Sequence, residues 1–319
     1  MKTQSAAAAP ISTKRKWAMV KRDIRLSYQL YIIIALPIAW LILFKYVPMY
    51  GVQIAFRDFK ASQGILGSDW VGLENFVKFF RDYMFGTVLR NTFAISFYSL
   101  IAGFPFPIIL ALALNNCIRP HLKKSVQLIT YVPHFISTVV LVGMIIQFLS
   151  PHVGIVNHAL MALGFPSKDF MGDPHAFSSI YVWTGVWQNC GWGTIIYLAA
   201  FAGIDYGLHE AAMIDGASRF QRMLHIDLPG IIPTATILLI MNAGSIMNVG
   251  FEKAFLMQNT LNRETSEIIS IYVYRIGLAS ASADFSYASA IGLFNSVVNL
   301  ILMATVNHIA QKASSTSMW

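Results

Sequence analysis

Residues 205–229 read Asp205-Tyr206-Gly207-Leu208-His209-Glu210-Ala211-Ala212-Met213-Ile214-Asp215-Gly216-Ala217-Ser218-Arg219-Phe220-Gln221-Arg222-Met223-Leu224-His225-Ile226-Asp227-Leu228-Pro229. The stretch predicts a short helix, a turn at Asp215-Gly216, and a second short helix that runs into an apolar segment at Pro229. The small pair Ala211-Ala212 admits another backbone at close range. Phe220, Met223 and Leu224 fall at i, i+3 and i+4 and make an apolar stripe, with Arg219 and Arg222 on its flanks. Such a surface suits a cleft on a partner protein, with Phe220 or Met223 as the anchor. Taken alone it suits equally well a helix lying on a lipid surface.

Outward from this loop the chain turns apolar in both directions. Residues 174–204 and 228–251 contain no Asp, Glu, Lys or Arg, neither do 26–44, 91–118 and 285–311, and 125–168 is free of them up to its wet end at Lys168. A bilayer core about 30 Å thick takes about 20 apolar residues in a helix, so each stretch is long enough to cross. The stretch 125–168 is overlong, and Ser150-Pro151-His152 predicts the end of its helix, leaving a polar turn before Lys168. The fold class that follows is an all-α membrane protein with six transmembrane helices. Composition agrees: 56% of the 319 residues are hydrophobic and 12% charged. A soluble domain carries about 25% charged residues, so too few charges are present to coat a water-facing surface.

Six spans put both termini on one side, and Lys and Arg choose the side. With both termini cytoplasmic, the inner pieces 1–25, 119–124, 205–227 and 312–319 hold thirteen of the 23 basic residues but only five of the 15 acids. The net charge of +8 therefore lies on the inner face. Anionic lipid accounts for such a juxtamembrane excess, and nucleic acid is not needed as a partner. Residues 1–25 are expected to be a disordered basic cytoplasmic tail, ahead of a retained first span and not a cleaved leader. Residues 26–319 then form the six-helix domain, with 205–227 as its main cytoplasmic loop.

Several chemistries lack their residues. No Gly-x-x-x-x-Gly-Lys-Ser/Thr phosphate loop occurs, so the chain has no ATPase site of its own. Cys117 and Cys190 form no CxxC pair, the eight histidines form no ligand cluster, and no nucleophile–base constellation is visible. No metal or cofactor is expected in this chain. Asp and Glu are absent from the spans, which removes the usual groups for proton coupling.

Polar residues in the spans are the candidates for a solute pathway. They are Gln188, Asn189 and Trp192 in 174–204, and Asn242, Ser245 and Asn248 in 228–251. Amides both donate to and accept from sugar hydroxyls, and an aromatic face receives the C–H face of a sugar ring. The alternative for the amides is hydrogen bonding between helices, and for Trp183 and Trp187 an interfacial belt. Asn295 and Asn299 could equally face another subunit. Glu252, Lys253 and Arg263 begin a long outer segment that is either a gate or docking surface, or a plain solvated loop.

The spacing Glu-Ala-Ala, three residues, Gly, nine residues, Ile, one residue, Leu-Pro resembles the signature loop of binding-protein-dependent ABC importer permeases. Tyr50-Gly51-Val52-Gln53-Ile54-Ala55-Phe56, Val71-Gly72-Leu73-Glu74-Asn75-Phe76 and Tyr131-Val132-Pro133-His134-Phe135-Ile136-Ser137 resemble its carbohydrate branch. Within that branch they resemble the subfamily that imports oligosaccharides, including uronate oligosaccharides such as those from alginate. The resemblance implies a type I ABC importer permease fold, a multi-pass protein of the bacterial inner membrane. It implies a second permease subunit, an ATPase dimer that holds ATP and Mg, an extracytoplasmic solute-binding protein and an oligosaccharide substrate. The ATPase-coupling residues would be Glu210, Ala211, Ala212, Asp215, Gly216, Phe220, Arg222 and Met223, with Glu210 pairing with a basic residue on the ATPase and Gly216 turning the coupling helix. Maltose-type relatives grip sugar from the spans flanking this loop; Gln188, Asn189, Trp192, Asn242 and Ser245 match that pattern in position but not in identity. An importer of the same kind for a peptide or amino acid is the alternative. A secondary transporter working without an ATPase would leave the loop without a purpose.

Overall fold

The computed structural model describes Arg22 and residues 25–314. The expected tail, 1–25, lies outside the described residues but for Arg22 and Arg25. Helix α1, Tyr28–Leu41, continues through a π turn, Ile42–Tyr46, to a 3-10 turn, Tyr50–Phe56. No residue of α1 is buried against the described residues. A helix apolar on every side needs an apolar surrounding, here lipid or another subunit. Two short antiparallel strands, β1 (Arg57–Asp58) and β2 (Asp69–Trp70), lead to α2, Glu74–Arg81. Then α3 (Phe85–Gly103) and α4 (Pro105–Asn115) form one 31-residue span. It starts earlier than the apolar stretch predicts, because the helix runs through Arg90.

The third span is broken. Helix α5, Pro120–Tyr131, and α6, Thr138–Leu149, meet at 101° across a 3-10 turn at Val132–Phe135. Pro133 bars an unbroken helix there, and Ser137 caps the new one by accepting from the N–H of Val140. As the Ser150-Pro151 signal predicts, α6 ends at Leu149. A short α7, Ile155–Ala162, precedes α8, Pro174–Phe201, whose 28 residues begin at an Asp173 cap. Next come α9 (Tyr206–Ile214) and α10 (Arg219–Arg222), which runs through a π turn, Met223–Asp227, into α11, Leu228–Gly244. Helices α12 (Phe251–Met257), α13 (Arg263–Ser266) and α14 (Ile269–Tyr274) precede α15, Phe285–Ser314. Among the described residues, four helical runs are long and apolar enough to cross a membrane, and the bent α5–α6 pair makes a fifth. Helix α8 is more polar but about 42 Å long at 1.5 Å per residue, so each predicted span corresponds to a helix or a bent pair.

The core divides into three clusters. Ala111, Leu112, Tyr197, Phe201 and Ile231 join α4, α8 and α11. Ile95, Phe177, Met257 and Ile268 are among those that join α3 and α8 to the segment after α11, and Phe79, Val88, Tyr272 and Ile291 belong to the third, around α15. Much of 251–277 is therefore packed into the core and is no solvated loop, while 278–283 are exposed. Glu267 is fully buried there, with Arg275 Nη1 at 2.7 Å and Arg263 Nε at 3.3 Å.

The same cap holds Asp82, whose carboxylate accepts from the hydroxyls of Tyr272 and Tyr287, each at 2.6 Å. Burial pushes this carboxyl up, but the two tyrosines, the N–H of Met84 and the charge of Lys78 outweigh it and hold it below the ordinary 3.8. A lowered folded value makes Asp82 stabilising above the ordinary carboxylate range, and that contribution is lost as pH falls through the lowered value. Thermal unfolding in detergent between pH 7 and pH 3 is expected to show a steeper acid limb in the wild type than in Asp82→Asn. Identical limbs would remove this account.

Candidate functional site

The loop 205–227 folds as a hairpin closed at both ends by local hydrogen bonds. Asp205 starts α9 by accepting from the N–H of Gly207 at 2.9 Å. Gly216 ends it with φ +79°, a left-handed conformation that costs a residue with a Cβ about 1–2 kcal/mol. The N–H of Ala217 returns to the carbonyl of Ala212 at 2.8 Å, the pattern of a glycine-terminated helix. Ser218 and Gln221 then form a reciprocal capping box that starts α10. The predicted helix, turn and second helix are all present.

Glu210, Ala211, Asp215, Gly216 and Phe220 are exposed, and Ala212, Arg222 and Met223 half-buried. The apolar stripe is divided: Phe220 is 64% exposed, while Met223 packs against the α4–α8–α11 cluster. Ile214, just before the turn, is 87% exposed; the 3.6-residue pattern passes over it because it belongs to the other limb of the hairpin. The outward apolar side chains thus stand on both sides of Gly216.

One residue of the hairpin is unlike the rest. Asp227 is 1% exposed and accepts from Asn116 Nδ2 at 2.9 Å and Asn115 Nδ2 at 3.3 Å, with His209 Nε2 at 3.3 Å. His209 lies on α9, Asp227 in the π turn and the two asparagines at the end of α4. A single buried carboxylate therefore ties both limbs of the hairpin to the second span. In the sequence it counts only as one acid of a cytoplasmic loop.

Two adjoining cavities, of about 440 and 310 Å³, lie among α3, α4, α8 and α11 and share Ser99, Gly103, Pro107 and Tyr181 as walls. Asn242, Ser245 and Asn248 line the first; Gln188 and Asn189 line the second. Five of the six predicted pathway residues thus face one region. Trp192 lies outside it, its ring stacked on His134 at 4.5 Å and 5°. The amides also bond within the protein. Gln188 Nε2 donates to the carbonyl of Ile136 at 3.0 Å, holding α8 to the break of the third span. Asn248 Oδ1 accepts from Asn295 and Asn299, each at 3.2 Å, which gives those two a role between helices. Trp183 donates to the hydroxyl of Tyr98 at 2.8 Å.

Lys253 is the wall residue that composition does not disclose. It is 9% exposed and lines the smaller cavity. A lining of amides, hydroxyls, a tyrosine ring and an ammonium fits a polyhydroxylated solute.

Comparison with known proteins gives the following. Residues 103–315 match a family described as binding-protein-dependent transport system inner membrane component. Protein LplB of Bacillus subtilis (strain 168) is 41% identical over 308 residues, 95% of each chain. The polygalacturonan/rhamnogalacturonan transport system permease protein YteP of the same organism is 40% identical over 318 residues, 98% of each chain. A crystal structure of a bacterial alginate ABC transporter in complex with alginate pentasaccharide-bound periplasmic protein superimposes with a TM-score of 0.84 at 37% identity, covering 93% of this chain and 99% of that one.

Proposed function

Because the chain belongs to the family of binding-protein-dependent transport system inner membrane components, we propose that it passes an acidic oligosaccharide, built of uronate sugars, and that the hairpin 205–227 couples this passage to ATP hydrolysis on a separate subunit. The chain is an inner-membrane permease of a sugar or oligosaccharide ABC importer. Its similarity to the polygalacturonan/rhamnogalacturonan permease and to the alginate transporter supports a uronate-containing solute. The similarity to a transporter in complex with its periplasmic protein supports a solute-binding protein as partner. A second permease subunit and an ATPase dimer, which would bind ATP and Mg, complete the assembly.

One observation carries the proposal: the five polar cavity residues stand on α8 and around the end of α11, the two helices rooted in the hairpin. Movement of the hairpin is movement of the cavity walls. Exposed Glu210, Ala211, Met213, Ile214 and Phe220 form the face offered to the ATPase, with Glu210 supplying the charge and Phe220 the apolar anchor. When the ATPases close on ATP, the hairpin moves with them as a unit, and α8 and α11 tilt. The loaded binding protein favours the outward-open state by binding it more tightly, since only differential affinity shifts such an equilibrium.

Glu210→Lys in the reconstituted complex tests the coupling. Reversing a charge at an interface pair costs about 2–5 kcal/mol, so ligand-stimulated ATPase activity and uptake are expected to fall at least about tenfold while the chain still inserts. Undiminished stimulation would remove the hairpin from this role.

A further inference from the structure

A charge inside a membrane protein needs a counterpart, and Lys253 lacks one. Its Nζ donates to the carbonyl oxygen of Tyr181 at 2.8 Å and stands 4.7 Å from the centre of the Tyr181 ring. Both partners are neutral. No carboxylate pairs with Lys253 among the described residues, and Glu267, the buried carboxylate of the same segment, is bridged by two arginines. An ammonium has three donors, and the Tyr181 carbonyl takes one.

Place narrows the purpose. Lys253 is on α12, more than sixty residues along the chain from Gln188 and Asn189, yet all three line the smaller cavity. A Cβ on Gly185 would lie 3.4 Å from Nζ, and Gly185 is one turn of α8 from Asn189. The ammonium therefore sits against α8 at Gly185, where a side chain would otherwise press on it. A purely structural lysine would satisfy its charge inside the protein, as Arg275 does with Glu267. Here the positive charge is left to a cavity whose other polar groups are the amides of Gln188 and Asn189 and the hydroxyls of Ser99 and Tyr181, set among apolar walls such as Pro107, Val182 and Val186. An anion entering that cavity would gain a charge-assisted hydrogen bond in a partly desolvated setting, while a neutral sugar would meet only the amides.

We propose that Lys253 is the specificity-determining residue of the pathway, receiving a carboxylate of an anionic sugar beside Gln188 and Asn189 as the solute crosses. This inference rests on the uronate reading of the substrate and adds to it the group that reads the charge.

The test uses the whole reconstituted importer with its binding protein, and as probe trigalacturonate or alginate pentasaccharide, whichever the binding protein takes. Losing one charge-assisted bond lowers binding about tenfold or more. Uptake by Lys253→Met and Lys253→Gln is expected to fall by about that factor, and Lys253→Arg to stay within about threefold of wild type. Gln keeps a donor for the Tyr181 carbonyl, so it remains informative if Met prevents assembly. Wild-type uptake by Lys253→Gln, or an equal loss in Lys253→Arg, overturns the role of the charge and leaves the uronate substrate standing. A wild-type importer that carries a neutral oligosaccharide and refuses both probes overturns the substrate reading, and the role of Lys253 with it.

Discussion

Gly191→Ala is expected to leave an importer that unfolds at lower temperature and takes up little or no solute. Where α8 passes α5, a Cβ at position 191 lands on the carbonyl oxygen and carbon of Thr130. Those are backbone atoms inside a helix, so no rotamer change can clear them, and α5 and α8 must separate. Overpacking of this kind costs about 1–3 kcal/mol, and the separation also pulls on bonds nearby. Gln188 holds the carbonyl of Ile136, and Asn189 Oδ1 lies 3.1 Å from His134 Nδ1; both cross from α8 to the break in the third span. Gly143→Ala is the control, since its added methyl meets nothing within 4 Å among the described residues. Melting of the purified complex and uptake into proteoliposomes decide the matter. Gly191→Ala behaving as Gly143→Ala does would show that the contact between α5 and α8 is loose enough to give.

Asp227→Ala is the second large effect. Removing the carboxylate takes away the acceptor shared by the amides of Asn115 and Asn116 and faced by the ring of His209, leaving Asn116 its bond to the carbonyl of Leu112. Each buried donor left unpaired costs about 1–3 kcal/mol. Asp227→Asn is expected to be milder, because its oxygen can still serve Asn115 and His209 while its N–H₂ meets one donor, that of Asn116. The functional consequence is separate from the loss of stability. Without Asp227 the hairpin is no longer tied to the end of α4, and its movement need not follow that of the spans. ATP hydrolysis is expected to continue while the solute carried per ATP falls. Measuring both on the same reconstituted sample separates the two effects. A variant with reduced stability but an unchanged ratio would restrict Asp227 to holding the fold.

The spans and the hairpin were legible in the sequence because both rest on local rules. An apolar run is recognisable without knowing its neighbours, and Asp215-Gly216 followed by Ser218-x-x-Gln221 carries turn and cap within seven residues. Boundaries shifted where a charge was tolerated: Arg90 lies inside α3, and α10 joins α11 so that the fifth span begins at Arg219. Pro133 could be marked as a breaker, but the 101° turn depends on what packs against it, Gln188 above all. Long-range charges were the least accessible. Asp227 looks like one acid of a loop and Lys253 like part of a gate, a docking surface or a solvated loop, and their burial follows from Asn115, Asn116 and Tyr181, each at least seventy residues away. The same holds for Met223, which the stripe assigns outward and the cluster of α4, α8 and α11 draws inward.

The unbroken run from Arg219 to Gly244 has a mechanical meaning. Its 26 residues make a rod about 39 Å long at 1.5 Å per residue, with Phe220 near one tip and Asn242 near the other. Such a rod, held at its middle, works as a seesaw: drawing one tip toward the molecular axis swings the other away. Pro233, inside the helix and short of one backbone hydrogen bond, marks the middle of the rod. The π turn at Met223–Asp227 sets the angle at which the inner tip meets its neighbour. If the hairpin couples as proposed, a pull at the Phe220 tip would reach the Asn242 tip with reversed sign.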